Sequence, residues 1–129
     1  MTKNIFLTLA LLLIFVGVAA AQGSSQKLTE QQKIELLIQS VEQLQDAEFI
    51  RSGTAYDAEK AASHLRRKLK SAGDKVKTAQ DFIIGIASTS YFSGKPYYIR
   101  FKEGKQITSK EFFEKKLREI MDNTVGNTQ

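Results

Sequence analysis

The sequence contains no cysteine and only one histidine, His64. Without cysteine the chain has no disulfide, no thiol nucleophile and no thiolate metal site, so packing alone must stabilise its fold. A single histidine excludes sites built from several histidines and leaves one candidate for acid–base chemistry near neutral pH. We therefore expect no metal site and no cofactor.

The N-terminal apolar stretch is too short to cross a bilayer as a helix. Lys3 gives a positive start, residues 5–16 are almost entirely apolar, and the small residues Ala19 and Ala21 follow. The stretch has about 12 residues, against the roughly 20 that a transmembrane helix needs. This order is typical of a secretory signal peptide, which we predict at residues 1–21. We expect no stable transmembrane anchor after cleavage, and the absence of cysteine excludes a lipoprotein.

Export limits the partners that a basic protein can meet. The chain carries a formal charge of +5, and nucleic acid is the usual partner of such a charge. An exported chain is removed from nucleic acid, so we predict no nucleic-acid partner and instead an anionic envelope component or an acidic protein. The predicted location is the periplasm if the envelope is Gram-negative, and otherwise the chain is secreted.

The rest of the sequence predicts one domain. Residues 22–27 are small and polar and should form a flexible leader, residues 28–123 a single globular domain, and residues 124–129 a frayed tail. Capping signals and apolar residues at three- and four-residue steps predict four helices, at 29–47, 57–73, 78–87 and 108–123. Alternating strand formers predict a small antiparallel sheet from 49–56 and 97–107. The fold class is therefore α+β, dominated by helices.

Three sequence elements carry a resemblance to a known family. They are Phe49-Ile50-Arg51-x-Gly53, His64-Leu65-Arg66-x-Lys68 and Ser93-Gly94-Lys95-Pro96-Tyr97. The chain resembles the small exported bacterial family called domain of unknown function 5329, the YfeK-like proteins. The resemblance covers roughly Glu48 to Arg100 and implies export and domain identity. It implies no catalytic residue.

The candidates for catalysis are few. His64 could act with a serine of the loop Ser88 to Ser93, with Ser90 and Ser93 as candidate nucleophiles, in a small hydrolase or transferase. That loop has neither a G-x-S-x-G elbow nor an S-x-x-K dyad, and no activating base can be identified beside it. The alternative interpretation is that His64 packs beside the helix cap Asp57 and that the serines bond local backbone groups. We therefore expect a protein that is not an enzyme.

The favoured hypothesis is a non-catalytic interaction or ligand-binding module of the cell envelope. Its densest charge feature is a basic run that includes Lys68, Lys75 and Lys77, and most such runs are solvated helix faces. The functional alternative is an anion-binding surface formed by part of this run with the Ser93–Tyr97 loop. The predicted binding residues are Tyr56, His64, Arg66, Arg67, Lys70, Ser93, Gly94, Lys95 and Tyr97.

Overall fold

The computed structural model describes residues 26–126, so the predicted signal peptide, most of the leader and the last three residues lie outside it. The described chain has four helices and one four-stranded antiparallel sheet, which confirms the α+β class. The elements are α1 (Glu30–Glu42), β1 (Ala47–Arg51), β2 (Thr54–Tyr56), α2 (Ala58–Ala72), α3 (Ala79–Phe82), β3 (Tyr98–Phe101), β4 (Gln106–Thr108) and α4 (Ser109–Gly126).

The helices begin where the capping signals predict. Thr29 forms a capping box with Gln32, in which the Gln32 N–H donates to the threonine hydroxyl over 3.2 Å and the side-chain oxygen of Gln32 accepts from the Thr29 N–H over 2.8 Å. At the start of α2, the Asp57 carboxylate accepts the N–H of Lys60 over 2.8 Å. That helix ends at Gly73, whose φ of +52° suits glycine. Local sequence therefore determines these boundaries.

The sheet has the order β2-β1-β3-β4, with every neighbouring pair antiparallel. A two-residue turn joins β1 to β2, and both of its residues, Ser52 and Gly53, have positive φ, as in the turn type that matches strand twist. The central pair is β1 with β3, where Phe49 lies opposite Ile99. Side chains alternate along each strand, so these two residues share the face that is buried against the helices.

Three local features differ from the sequence predictions. Helix α1 ends at Glu42 rather than near Ala47, and Asp46, with a φ of +55°, directly precedes β1. Helix α3 continues as a π-helical turn, Ile83–Ala87, rather than as regular α-helix. Helix α4 continues to Gly126 rather than ending at residue 123.

The core lies between the inner face of the sheet and the four helices. Its fully buried side chains come from every layer: Leu37, Ile38, Val41, Phe82, Ile83, Ile86, Ile99 and Phe113. Phe82 and Phe113 meet edge to face, with ring centroids 5.8 Å apart. Within residues 26–126 there is no helix that combines the length and apolarity needed to cross a bilayer.

Candidate functional site

Two polar residues on one face of α2 point toward the sheet. His64 and Lys68 are four residues apart, which places them one above the other on the same helix face. Leu65, next to His64 in the chain, is buried in the core, and α2 packs against both α1 and β1. The pair therefore lies at the edge of the core, where α2 packs on the sheet.

The sheet meets that pair with Arg51 and Tyr97. Arg51 follows Phe49 by two residues on β1, and Tyr97 precedes Ile99 by two residues, immediately before β3, so both lie on the inner face. Tyr97 is 9% exposed and packs edge to face on the His64 ring, with centroids 6.2 Å apart. The inner face of the sheet is thus apolar at its centre and polar at this end.

The His64 ring contacts a guanidinium group. The Arg51 Nη1 atom lies 3.0 Å from both Nδ1 and Nε2 of the ring. An in-plane position equidistant from both nitrogens would clash with Cε1, so the guanidinium group lies against the ring face. The lone pairs of the ring nitrogens lie in the ring plane, so this contact places a cation on the ring face, and that charge favours the neutral imidazole over the imidazolium. The Nε2 atom also lies 3.4 Å from the Tyr97 hydroxyl.

The surroundings of His64 oppose its protonation. Burial is the main cause that lowers the pKa of His64 to about 4, and the positive charges of Arg51, Lys68 and Arg67 lower it further. At neutral pH the ring is therefore uncharged beside several cations. These neighbouring cations favour the binding of a negatively charged group beside His64.

Lys68 is buried and fully hydrogen-bonded. Its Nζ atom donates to the carbonyl of Ile86 over 2.6 Å, to that of Thr89 over 3.0 Å and to the Tyr97 hydroxyl over 3.1 Å. Three acceptors match the three donors of an ammonium group. Burial first, and the charge of Arg51 second, lower the pKa of Lys68 to about 8, so the group is still mainly protonated at pH 7. The interpretation of Lys68 as part of a solvated basic face is therefore wrong.

A cavity of about 400 Å³ opens where these residues meet, between α2 and the sheet. Its walls combine apolar side chains, tyrosines and charged groups. The apolar and aromatic wall includes Val41, Phe49, Leu65, Phe113, Tyr56 and Tyr97, and the charged wall includes Arg51, Lys60, Arg67, Asp57 and Glu59. We call this cavity the α2–sheet pocket.

The half-buried cation of the pocket has no carboxylate partner. Among residues 26–126, Arg51 forms no ion pair, and its guanidinium carbon lies 5.5 Å from the centroid of the Tyr56 ring. Of the two acids in the pocket wall, Asp57 is engaged in capping α2. The pocket can therefore accept an anion at Arg51 without breaking an existing ion pair.

The predicted binding residues divide into two groups. Tyr56, His64, Arg67 and Tyr97 line the α2–sheet pocket, whereas Arg66, Lys70, Ser93, Gly94 and Lys95 do not. Arg66 instead bridges α2 to α1, because its Nη2 atom lies 2.8 Å from Glu35 and 3.3 Å from Glu42. The basic run is thus split among an ion pair, a buried lysine and exposed side chains.

The loop serines bond to local backbone groups. Ser88 is buried and its hydroxyl donates to the Ile83 carbonyl, and the Ser93 hydroxyl accepts the Lys95 N–H over 3.3 Å. The Ser90 N–H donates to the Lys95 carbonyl over 3.0 Å. In the described chain no hydrogen bond joins His64 to any of these serines, and none of them lines the pocket. Likewise, no group of three or more potential metal ligands occurs within residues 26–126.

Two residues of the site, Arg51 and the buried Lys68, are not among the binding residues that the sequence predicts. Strand alternation from Phe49 places Arg51 on the buried face, and helical spacing places Lys68 beside Leu65 on the inward side of α2. Buried charged side chains are rare, so charged residues in a sequence are usually assigned to the surface. A polar residue at an inward position was the signal that could have found them.

Comparison with known proteins gives a family and one relative. The model of a family described as a family of unknown function, DUF5329, matches residues 28–121. A relative from Salmonella typhimurium, described as uncharacterized protein YfeK, is 40% identical over 68 residues, which cover 53% of this chain and 57% of the relative. The chain thus matches little more than half the length of that relative. No solved structure matches the chain significantly.

Proposed function

The chain belongs to the DUF5329 family of unknown function, and we propose that it is a non-catalytic binding module for an anionic ligand with an apolar portion. The ligand occupies the α2–sheet pocket, with its negative group at Arg51 and its apolar portion against the tyrosines and core side chains. The observation that carries this proposal is a half-buried guanidinium group without a carboxylate partner among the described residues, at the wall of a 400 Å³ cavity.

The chemistry of the pocket suits such a ligand. A guanidinium group binds carboxylate or phosphate through charged hydrogen bonds, which are stronger than neutral ones. Pockets for small molecules are mostly apolar with a few placed polar groups, and this wall has that composition. A neutral His64 next to the anion could donate a further hydrogen bond or gain a proton when the negative charge arrives.

Binding without catalysis is favoured over hydrolysis. A general base must reach the proton that it removes, and His64 contacts Arg51 and Tyr97 rather than a serine. A histidine whose pKa lies at about 4 is also a weak base. The alternative, a small hydrolase or transferase that uses His64 with Ser90 or Ser93, would require a contact between them that the described residues do not make.

We place this module in the cell envelope on the strength of its N-terminal sequence. The short apolar stretch followed by Ala19 and Ala21 supports export and cleavage before Gln22. The test is the intact mass of the protein isolated from the periplasmic fraction or culture medium of a bacterial host. A mass that begins at Gln22 supports the proposal, and full-length protein found in the cytosol contradicts it.

The ligand proposal is tested with three simple probes. Decanoate carries a carboxylate and an apolar chain, decanol lacks the charge, and acetate lacks the chain. Calorimetric titration below the micellar range should give the tightest binding for decanoate. Decyl phosphate in the same series tests whether the pocket prefers a phosphate group to a carboxylate.

The decisive variant is Arg51→Met, which keeps most of the side-chain volume and removes the charge. Loss of a charged hydrogen bond worth about 1.5–3 kcal/mol should weaken decanoate binding by about tenfold to a hundredfold and leave decanol binding nearly unchanged. The matched control is Arg100→Gln, because Arg100 lies on the opposite sheet face and is paired with Glu48. Equal affinities for decanoate and decanol, or equal losses in both variants, would exclude the proposed site.

A further inference from the structure

A second feature, outside the pocket, is a loop with two exposed aromatic residues at its tip. Thr89 and Pro96 form an isolated β-bridge that closes the segment, and we call residues 89–96 the aromatic loop. At its tip, the Gly94 N–H donates to the Ser90 carbonyl over 2.9 Å. Tyr91 is 62% exposed and Phe92 is fully exposed.

The base of the aromatic loop is held by a buried charge. Lys68 donates to the Thr89 carbonyl over 3.0 Å, and its ammonium group lies 4.3 Å from the centroid of the Tyr91 ring. The Tyr97 N–H donates to the Ser88 carbonyl over 2.9 Å, which joins the two ends of the loop. The fold therefore holds Phe92 away from the core and leaves a large apolar side chain in water.

The surroundings of the loop combine exposed apolar side chains with charged ones. Ile84, which is 59% exposed, and Tyr91 line the same shallow cavity, together with Lys75. No aspartate or glutamate occurs between Phe82 and Lys102 in the sequence. The carboxylate of Asp81, which also lines that cavity, already accepts the N–H groups of Lys77 and Thr78 at 3.0 and 3.1 Å.

We propose that the aromatic loop docks the protein on an anionic lipid surface by inserting Phe92 at the membrane interface. Aromatic side chains favour the boundary between headgroups and acyl chains, and nearby lysines are attracted to anionic lipids. A protein partner would more often bind a broad patch or a groove, whereas this feature is a narrow, bridged projection. The exposed Lys95 in the loop, in a segment without acidic residues, therefore favours an anionic membrane as the occupant.

The absence of tryptophan from the chain makes insertion directly measurable. Phe92→Trp places a single fluorescent reporter at the tip, whose emission should move to shorter wavelength with vesicles of phosphatidylcholine containing about one third phosphatidylglycerol. Pure phosphatidylcholine vesicles should give a smaller change. The control is Gln106→Trp, an exposed position on β4 that pairs with Arg100 toward the far end of β3, and its emission should not change.

Binding strength supplies the second measurement, by co-sedimentation with the same vesicles. Phe92→Ser should weaken binding by about tenfold through loss of buried apolar area, and Lys95→Gln by about fivefold through loss of one cation near the surface. All variants are compared with identical N-termini, checked by intact mass, so that the N-terminal apolar stretch contributes equally.

Each remaining outcome overturns the proposal. Vesicle binding by the Phe92→Trp variant with unchanged fluorescence would show that another segment binds the lipid. No binding, or binding independent of phosphatidylglycerol, would exclude an anionic membrane as the target. A change in the fluorescence of this variant that needs lipid-free envelope protein rather than vesicles would identify the loop as a protein-binding site instead.

Discussion

The most direct test of the pocket's electrostatics is the titration of His64. Because the chain has a single histidine, the imidazole resonances in an NMR spectrum belong to this residue without further assignment. Burial and the neighbouring cations hold the pKa of His64 at about 4. We expect the Cε1–H resonance of the wild type to remain nearly unchanged from pH 8 to 5 and to shift mainly below that range.

The informative perturbation is Arg51→Met. It removes the guanidinium group 3.0 Å from the ring nitrogens and leaves burial, the principal cause of the low pKa, largely intact. A unit charge at contact distance contributes about 1 kcal/mol when water screens it well, so the pKa of His64 should rise by about one, toward its ordinary value of 6.5. The same titration with saturating decanoate should also raise the pKa, because an added anion favours the imidazolium form.

The matched control is Arg100→Gln, which removes the same charge from the opposite face of the sheet. Its histidine titration should coincide with that of the wild type. The reasoning is refuted if the wild-type histidine titrates near its ordinary pKa of 6.5. The ring would then be exposed to solvent, and nearby cations would not oppose its protonation. It is also refuted if the Arg51 and Arg100 variants shift the pKa equally, since the effect would then be one of net charge rather than of contact.

Three further predictions concern stability, each measured by urea unfolding. Lys68→Met should lower the free energy of unfolding by about 3 kcal/mol, because two carbonyls and the Tyr97 hydroxyl lose their donor. The control Lys70→Met, at an exposed position, should change it by no more than about 0.5 kcal/mol. Equal effects of the two substitutions would contradict a buried, hydrogen-bonded role for Lys68. The folded-state pKa of His64, about 4, lies below its unfolded value of 6.5, so the unfolded chain binds more protons between these values and stability falls as pH decreases through that window. From pH 7 to 5 the free energy of unfolding of the wild type should fall by about 1 kcal/mol more than that of His64→Gln, after allowing for solvent screening. Parallel pH profiles for the two proteins would contradict this prediction. Asp57→Ala removes the cap of α2 and should cost about 1 kcal/mol, whereas Asp74→Ala should have little effect; no difference between them would mean that the cap contributes nothing measurable.

The family resemblance found in short sequence elements is borne out across a wider range. Residues 28–121 match the family model, which extends beyond the Glu48 to Arg100 segment on which the resemblance rested. The family description supplies no activity, so the functional argument depends on the α2–sheet pocket and on the aromatic loop. Lys68 connects these two features, because it donates to Tyr97 of the pocket and to Thr89 of the loop.

Local sequence signals were sufficient to predict the secondary structure. Capping residues, glycines at positive φ and apolar spacing act within a few residues along the chain, so they predicted all four helices and the two hairpins of the sheet. They could not predict that the hairpins join through β1 and β3, because strand pairing depends on contacts between distant segments.

The site itself was decided by tertiary structure. Arg51, His64 and Tyr97 come from a strand, a helix and the residue before another strand, and only the packing of α2 on the sheet brings them together. The same packing buries Lys68 while it leaves Lys70 exposed. Charge and residue type are properties of the sequence, but burial and the identity of a charge's partners depend on what lies across the interface, and those determine its chemistry.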